Sequence, residues 1–208
     1  MRQSELEARA GAGGVARAIG GRVRQGRNSR GWTLDQLAGR SGVSRRMLVS
    51  IEAGSANPSI ATLLLISDAL GIGLPALVEL DRSPGLRVTR AGAAPVLWRG
   101  RLGGQAALVA GTGPPDVAEL WDWTLGPGES HASGAHAAGT RELLLVLDGQ
   151  VELRAGQHAE TLAAGDSASF AGDLPHGYLN AGPRAARFAL AVFEPGVGPG
   201  SRPEATDG

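Results

Sequence analysis

A chain of 208 residues can bury one large core or two small ones, and this one balances 20 basic residues, all Arg, against 20 acidic ones. It contains no Cys, which excludes a disulfide framework, a thiol nucleophile and a thiolate metal site, so any metal must be held by His, carboxylate or water. No run approaches the roughly 18–20 apolar residues of a membrane span and the N-terminus lacks the apolar core of a signal peptide, so a cytoplasmic protein is expected.

The charge is unevenly spread. Residues 1–82 hold 11 Arg and 7 acidic residues and residues 83–208 hold 9 and 13, leaving +4 on the first part and −4 on the second. A basic first half suits a polyanionic partner, and Arg suits bidentate contact with phosphate and guanine, although an all-Arg composition also follows from coding bias. Residues 1–14 form a polar, Gly-rich lead expected to be disordered, as is the Gly- and Pro-rich tail over 196–208. Between them apolar residues recur at helical spacing over 15–80. A linker spans 81–95, where Pro84 and Gly85 oppose helix continuation, and short apolar runs punctuated by Gly, Pro and Asp fill 96–195. The expected fold is therefore an all-α domain of five helices followed by an all-β domain.

In chain order, the first helix runs from about Val15 to Arg30 and closes at Gly31. The second starts at Thr33, where Thr-Leu-Asp-Gln sets a capping box, and ends near Ser41 and Gly42. Gly42-Val43-Ser44 gives a tight turn, and Ser44 caps a third helix from Arg45 to Glu52. Two short helices joined by a Gly-containing turn form a helix-turn-helix, whose second helix enters the DNA major groove. Leu48 and Ile51 would face the core with Leu37, Ala38 and Val43, leaving Arg45, Arg46, Val49 and Ser50 outside. Arg can pair with guanine, Val can touch a thymine methyl and Ser can bond a base or a phosphate. Periodicity alone also fits an exposed helix whose arginines are simply solvated.

The stretch from Val23 to Leu77 resembles the phage-repressor-like (lambda-repressor-like) or Xre family of helix-turn-helix domains. The match is carried by Ala38 in the first helix of the motif, Gly42 at the turn, Ile51 to Gly54 closing the recognition helix, Asn57-Pro58-Ser59, and the apolar helix from Ile60 to Leu70. The resemblance implies base reading by Arg45, Arg46, Val49 and Ser50, with Met47 near the sugar-phosphate wall. Thr33 and Leu34 would present a helix N-terminus to a phosphate, and Arg24, Arg27 and Asn57 would touch flanking phosphates of double-stranded operator DNA.

Beyond the linker, strands are expected at Val96–Arg101, Ala106–Ala110, Ala118–Leu125, Glu142–Leu147, Gln150–Ala155, Glu160–Ala164, Ser167–Phe170, Gly177–Asn180 and Ala185–Phe193. Glu142-Leu-Leu-Leu-Val-Leu147 is apolar on both faces after its first residue, as in a strand packed between a lumen and another layer. Asp148-Gly149 suggests a two-residue hairpin into the next strand. Glu119, Trp121 and Trp123 alternate, as do His176, Tyr178 and Asn180, so each set shares a face and can wall a pocket, fill a core or, for the first set, lie outside the cavity. His158, on an expected turn, should face solvent.

The segments LGPGESHASGAHAAGTRELLLVLDGQVEL and AAGDSASFAGDLPHGYLN resemble the two conserved motifs of the cupins (cupin_2 type), barrels of the jelly-roll kind. That resemblance implies a divalent-metal site, for which this chain offers His136, Glu142 and His176. Gly134 stands where the first motif of metal-binding cupins carries a further His, and His131 is near but out of register. A catalytic metal normally needs three protein ligands and an open position. The same residues, with Tyr178, Trp121 and Trp123, otherwise make a metal-free pocket for a small-molecule effector. The two resemblances together imply an Xre-type transcriptional regulator with a cupin sensor, acting as a homodimer and not as an enzyme. The alternatives are a metal-dependent cupin dioxygenase or isomerase with an accessory DNA-binding domain, or a protein-binding module.

Overall fold

The computed structural model describes residues 2–78, 86, 88–114 and 116–197, with side chains from Gly14 onward. Residues 79 and 80 at the end of the expected helical domain, 81–85 and 87 of the expected linker, and the expected tail from 198 on lie outside the described residues. Helices α1 (Arg2–Ser29), α2 (Leu34–Ser41), α3 (Arg45–Glu52), α4 (Ile60–Leu70) and α5 (Leu74–Val78) form the N-terminal unit. The helix expected from Val15 runs back to Arg2, through the segment expected to be a disordered lead. Ser4 to Ala10 reads SELEARA, mostly strong helix formers, and a helix already nucleated adds such residues cheaply.

The helical core gathers Ile19, Val23, Leu37, Leu48, Ile51, Leu63, Ile66 and Leu70, each 3% exposed or less. α1 crosses α3 so closely that a Cβ on Gly20 would lie 2.2 Å from the Ile51 carbonyl oxygen. Glu52 ties the same two helices. Its carboxylate accepts from Arg27 Nε at 2.7 Å and Arg27 Nη2 at 2.9 Å, and from Arg24 Nε at 3.3 Å.

Ten strands follow: β1 (Val96–Arg99), β2 (Gln105–Gly111), β3 (Val117–Leu125), β4 (Ser130–Ser133), β5 (Arg141–Asp148), β6 (Gln150–Ala155), β7 (His158–Ala163), β8 (Ser167–Ala171), β9 (His176–Leu179) and β10 (Ala186–Glu194). They make two antiparallel sheets, ordered β1-β2-β3-β10-β5-β8 and β4-β9-β6-β7. Alternation along β3, β5 and β10 turns Trp121, Trp123, Leu144, Val146, Phe188 and Leu190 into the space between the sheets. Inward positions also carry Glu119, Glu142 and Glu194.

Two β readings need correction. β4 was not expected, and it pairs with β9 from Ser130↔Leu179 to Ser133↔His176. Asp148-Gly149 makes no paired hairpin: β5 belongs to the larger sheet and β6 to the smaller. The turn is a corner between layers, and a Cβ on Gly149 would meet the Ala185 carbonyl oxygen at 2.9 Å.

The two units touch through α4 and α5. A Cβ on Gly111 would lie 2.4 Å from Pro75, and one on Gly73 would lie 2.8 Å from Val117. This contact brings Ile60, Leu64 and Leu74 of the helical unit against the mouth of the β unit.

Candidate functional site

The helix-turn-helix is built from local hydrogen bonds. Thr33 Oγ1 accepts from the Gln36 amide at 3.2 Å and Gln36 Oε1 accepts from the Thr33 amide at 2.8 Å, which fixes the start of α2. At its end Gly42 takes φ +70° and donates its N–H to the Ala38 carbonyl, a left-handed cap that suits glycine. Ser44 Oγ then accepts from the Met47 amide at 3.3 Å, starting α3.

Leu48 and Ile51 are buried, so α3 presents Arg45, Arg46, Met47 and Val49 to solvent. Ser50 is half-buried and its hydroxyl donates to the Arg46 carbonyl at 3.2 Å. Arg45 leans on Asp35 at 3.2 Å, with both side chains mostly exposed, a contact that DNA can displace at little cost. Thr33 and Asn57 are exposed, whereas Leu34 packs against the core. Arg24 keeps a side chain 55% exposed while it touches Glu52. Arg27 departs from its expected phosphate contact. Its guanidinium donates to both Glu52 oxygens and to the Trp32 carbonyl at 2.8 Å, which commits it to the fold.

The β unit encloses a cavity with an empty volume of about 410 Å³, including its open mouth. Its lining contains His131, His136, Glu142, His176, Tyr178, Trp121 and Trp123, together with Glu119, Glu194 and the three α4 and α5 side chains. Thus both expected tryptophans and all the expected polar residues meet there. His136 comes from the loop after β4, Glu142 from β5, and His176 and Tyr178 from the inward face of β9.

His136 Nε2 lies 3.1 Å and His176 Nε2 3.2 Å from the same Glu142 oxygen, Oε1. That oxygen is buried and makes no hydrogen bond of acceptable geometry, so the three atoms face a shared point. All lie within 4.8 Å of one another. His176 Nδ1 is 2.8 Å from the Leu174 carbonyl; because a carbonyl only accepts, Nδ1 carries the proton and Nε2 is aimed at the shared point. The other Glu142 oxygen accepts from the Tyr178 hydroxyl at 2.8 Å. Two imidazoles and a carboxylate with positions open to a cavity are the donor set of a metal site that retains room for a ligand, and this cluster could hold a metal.

The electrostatics fit that arrangement. Burial works against the Glu142 charge, but the His136 and His176 rings hold its carboxyl down at about 2. His176 is lowered by burial and raised by Glu142, with a net rise. Tyr178 is pushed far up by burial and by the Glu142 charge, so it stays a hydroxyl donor. His131 stands apart from the metal cluster. It packs between Trp98 and Trp123, at ring separations of 5.1 and 4.8 Å, where burial first and then His176 push it down to about 4. Gly134 is exposed and a Cβ added to it would meet nothing within 4 Å, and His158 is exposed on β7. Asn180 is buried as a staple, donating to the carbonyls of Leu125, Gly126 and Arg184.

Sequence reasoning missed Glu194, Ile60, Leu64 and Leu74. Glu194 was within reach, since it continues the inward phase of Phe188, Leu190 and Val192.

The chain matches the family model for the helix-turn-helix over residues 23–77 and that for the cupin domain over residues 121–193. It is 29% identical over 184 residues to the HTH-type transcriptional regulator SutR of Escherichia coli, covering 87% of this chain and 97% of that protein. An uncharacterized HTH-type transcriptional regulator of Sinorhizobium fredii, y4dJ, is 34% identical over 71 residues, 34% of this chain and 92% of that protein. Among solved structures, an HTH_3 family transcriptional regulator from Vibrio cholerae superposes with a TM-score of 0.66 at 26% identity, covering 88% of this chain and 99% of that one. In fold and domain order, the chain is an HTH-type transcriptional regulator in which an Xre-type helix-turn-helix domain precedes a C-terminal cupin domain.

Proposed function

We propose that this protein reads a specific double-stranded operator through Arg45, Arg46, Val49 and Ser50, and that a small-molecule effector in the cupin cavity changes that binding. It does so in the cytoplasm, as a homodimer, with a divalent metal on His136, Glu142 and His176. The observation that carries the reading is the shared wall: Ile60 and Leu64 of α4 and Leu74 of α5 line the same cavity as the histidine cluster. An occupant therefore touches the DNA-binding unit directly. It changes DNA affinity to the extent that it binds the operator-competent and incompetent arrangements differently. A metal bound there would supply Lewis acidity toward an oxygen or nitrogen donor on the effector. In this reading Met47, on α3 itself, meets the sugar-phosphate wall, Thr33 and Leu34 at the start of α2 offer a helix N-terminus to a phosphate, and Asn57 and the exposed part of Arg24 contact flanking phosphates.

The dimer is supported by the outer face of the larger sheet. Leu143, Leu145 and Leu147 on β5 are 57, 43 and 45% exposed, and Leu120 and Phe193 on β3 and β10 are each 44% exposed. Leu120 and Leu143 both pair with Ala191 of β10, so the stripe is continuous across three strands. A second copy on this face would supply the further layer that the doubly apolar β5 calls for, and would set two reading helices side by side for a two-fold operator.

The test is selection of bound fragments from the source genome, followed by titration of the best one at two salt concentrations. Salt-sensitive binding far tighter than to random DNA is expected. Equal binding to all sequences would move the metal-dependent enzyme reading to the front.

A further inference from the structure

The histidine cluster occupies one part of the cavity, and a second polar group occupies another. Glu119 and Glu194 face inward from β3 and β10 and are 4% and 2% exposed. Glu119 Oε2 accepts from the Trp121 indole at 2.8 Å, but Glu119 Oε1 and Glu194 Oε2 are buried without a hydrogen-bond partner. No Arg lines the cavity among the described residues. A buried carboxylate without a counter-charge is expensive. Burial first, and then their mutual repulsion, push Glu119 up to about 8; burial, then Asp68, push Glu194 up to about 7. Asp68 follows Ile60 and Leu64 at intervals of four residues on α4, so it shares the face that meets the barrel.

The two unpartnered carboxyl oxygens can be met by a donor-bearing cation entering the cavity, and the surroundings favour one kind. Among the described residues only His136, Glu142 and His176 draw three donor atoms together closely enough for a metal ion. No third ligand joins Glu119 and Glu194 in this way. The same cavity is lined by Trp121, whose indole N–H donates to Glu119, and by the apolar Ile60, Leu64 and Leu74 of α4 and α5, which suit the stem of an organic cation. Glu119 and Glu142 both pair with Val192, so two strand spacings, roughly 10 Å, separate the two polar ends.

We propose that the effector is a small organic amine whose protonated nitrogen sits between Glu119 and Glu194, with its apolar stem against α4 and α5. The proposal rests on the reading of the cavity as the effector pocket and deepens it by naming the ligand class. An amine so placed bonds to the barrel while its stem touches the DNA-binding unit.

The test is calorimetric titration of the full chain with n-butylamine, n-hexylamine and phenethylamine, and with n-hexanol and hexanoate as neutral and anionic counterparts. At least one amine is expected to bind while the alcohol and the carboxylate do not. Glu119→Gln and Glu194→Gln, whose folding is checked by circular dichroism, should each weaken amine binding on the order of tenfold or more, as loss of a charged hydrogen bond does. Two different substitutions guard against one variant failing to fold. Preference for the alcohol or hexanoate, or an amine affinity unchanged in both variants, overturns the proposal and leaves the effector pocket standing. Absence of binding by every probe overturns the proposal too. The pocket reading falls with it only if the small-molecule fraction of the source cells also leaves operator affinity unmoved.

Discussion

Replacing Glu52 by Ala should loosen the recognition helix, and the structure sets the size of the effect. Glu52 has a side chain 5% exposed and Arg27 one 14% exposed, and they share two short hydrogen bonds. Removing one partner of such a buried pair costs about 3–5 kcal/mol in general. Here the loss is smaller, because Arg27 keeps its bond to the Trp32 carbonyl. The contact from Arg24, whose side chain is 55% exposed, adds little. About 2–3 kcal/mol remains, or roughly 10–20 °C in the unfolding midpoint of a domain this small. Thermal unfolding followed by the helical circular dichroism signal reads it. Arg27→Ala in the Glu52→Ala background should add much less than it does alone, since the stranded charge is then gone. Burial pushes the Glu52 carboxyl up, but the Arg27 hydrogen bond and charge outweigh it, and the group ends below its ordinary value of 4.5. The pair's contribution is therefore complete above that value and fades as pH falls through the lower folded value. A midpoint within about 3 °C of wild type, well under the shift expected for about 2–3 kcal/mol, or strict additivity of the two substitutions would refute the reasoning.

Three other predictions address the rest of the molecule. Arg45→Ala and Arg46→Ala should each lose roughly 1–3 kcal/mol of specific binding with little change on random DNA, read by titrating operator and random duplexes; equal losses on both would remove the base-reading role. If the chain pairs through this face as proposed, the wild type should sediment as a dimer and Leu143→Glu with Leu145→Glu as a monomer; equal masses for the two would remove this interface. Glu119 and Glu194 carry folded values raised to about 8 and about 7 from 4.5, so the folded state holds more protons between those limits. Stability of the ligand-free protein should then fall as pH rises from about 5 to about 8, and the double Gln variant should flatten the slope in denaturant titrations.

The parts legible in the sequence were those set by local chemistry. The capping box at Thr33 and Gln36, the left-handed Gly42 and the Ser44 cap need only neighbours a few residues away. Alternation put Trp121 with Trp123 and His176 with Tyr178 on shared faces but left open whether those faces wall a pocket or fill a core, which the pairing of distant strands decides. What escaped depends on distant partners. Ser130–Ser133 reads SHAS, four small or polar residues without a strand pattern, and becomes β4 only by pairing with β9. Asp148-Gly149 has hairpin chemistry, yet β10 and β8 take both edges of β5. The apolar run of α4 is explained by its own domain's core, so nothing local shows that Ile60 and Leu64 also face the barrel. Arg27 has the composition of a phosphate contact, and only the fold reveals that Glu52 claims it.

The central claim is that cavity and operator communicate through the wall made by α4 and α5. Its most direct test is the operator Kd of the metal-reconstituted protein, with and without the small-molecule fraction of the source cells, in wild type and in the Glu142→Gln, His176→Ala variant. Coupling of the usual size predicts a shift of about 5–150-fold in wild type and none in the variant. A Kd that does not move, or that moves equally in both proteins, would contradict the account.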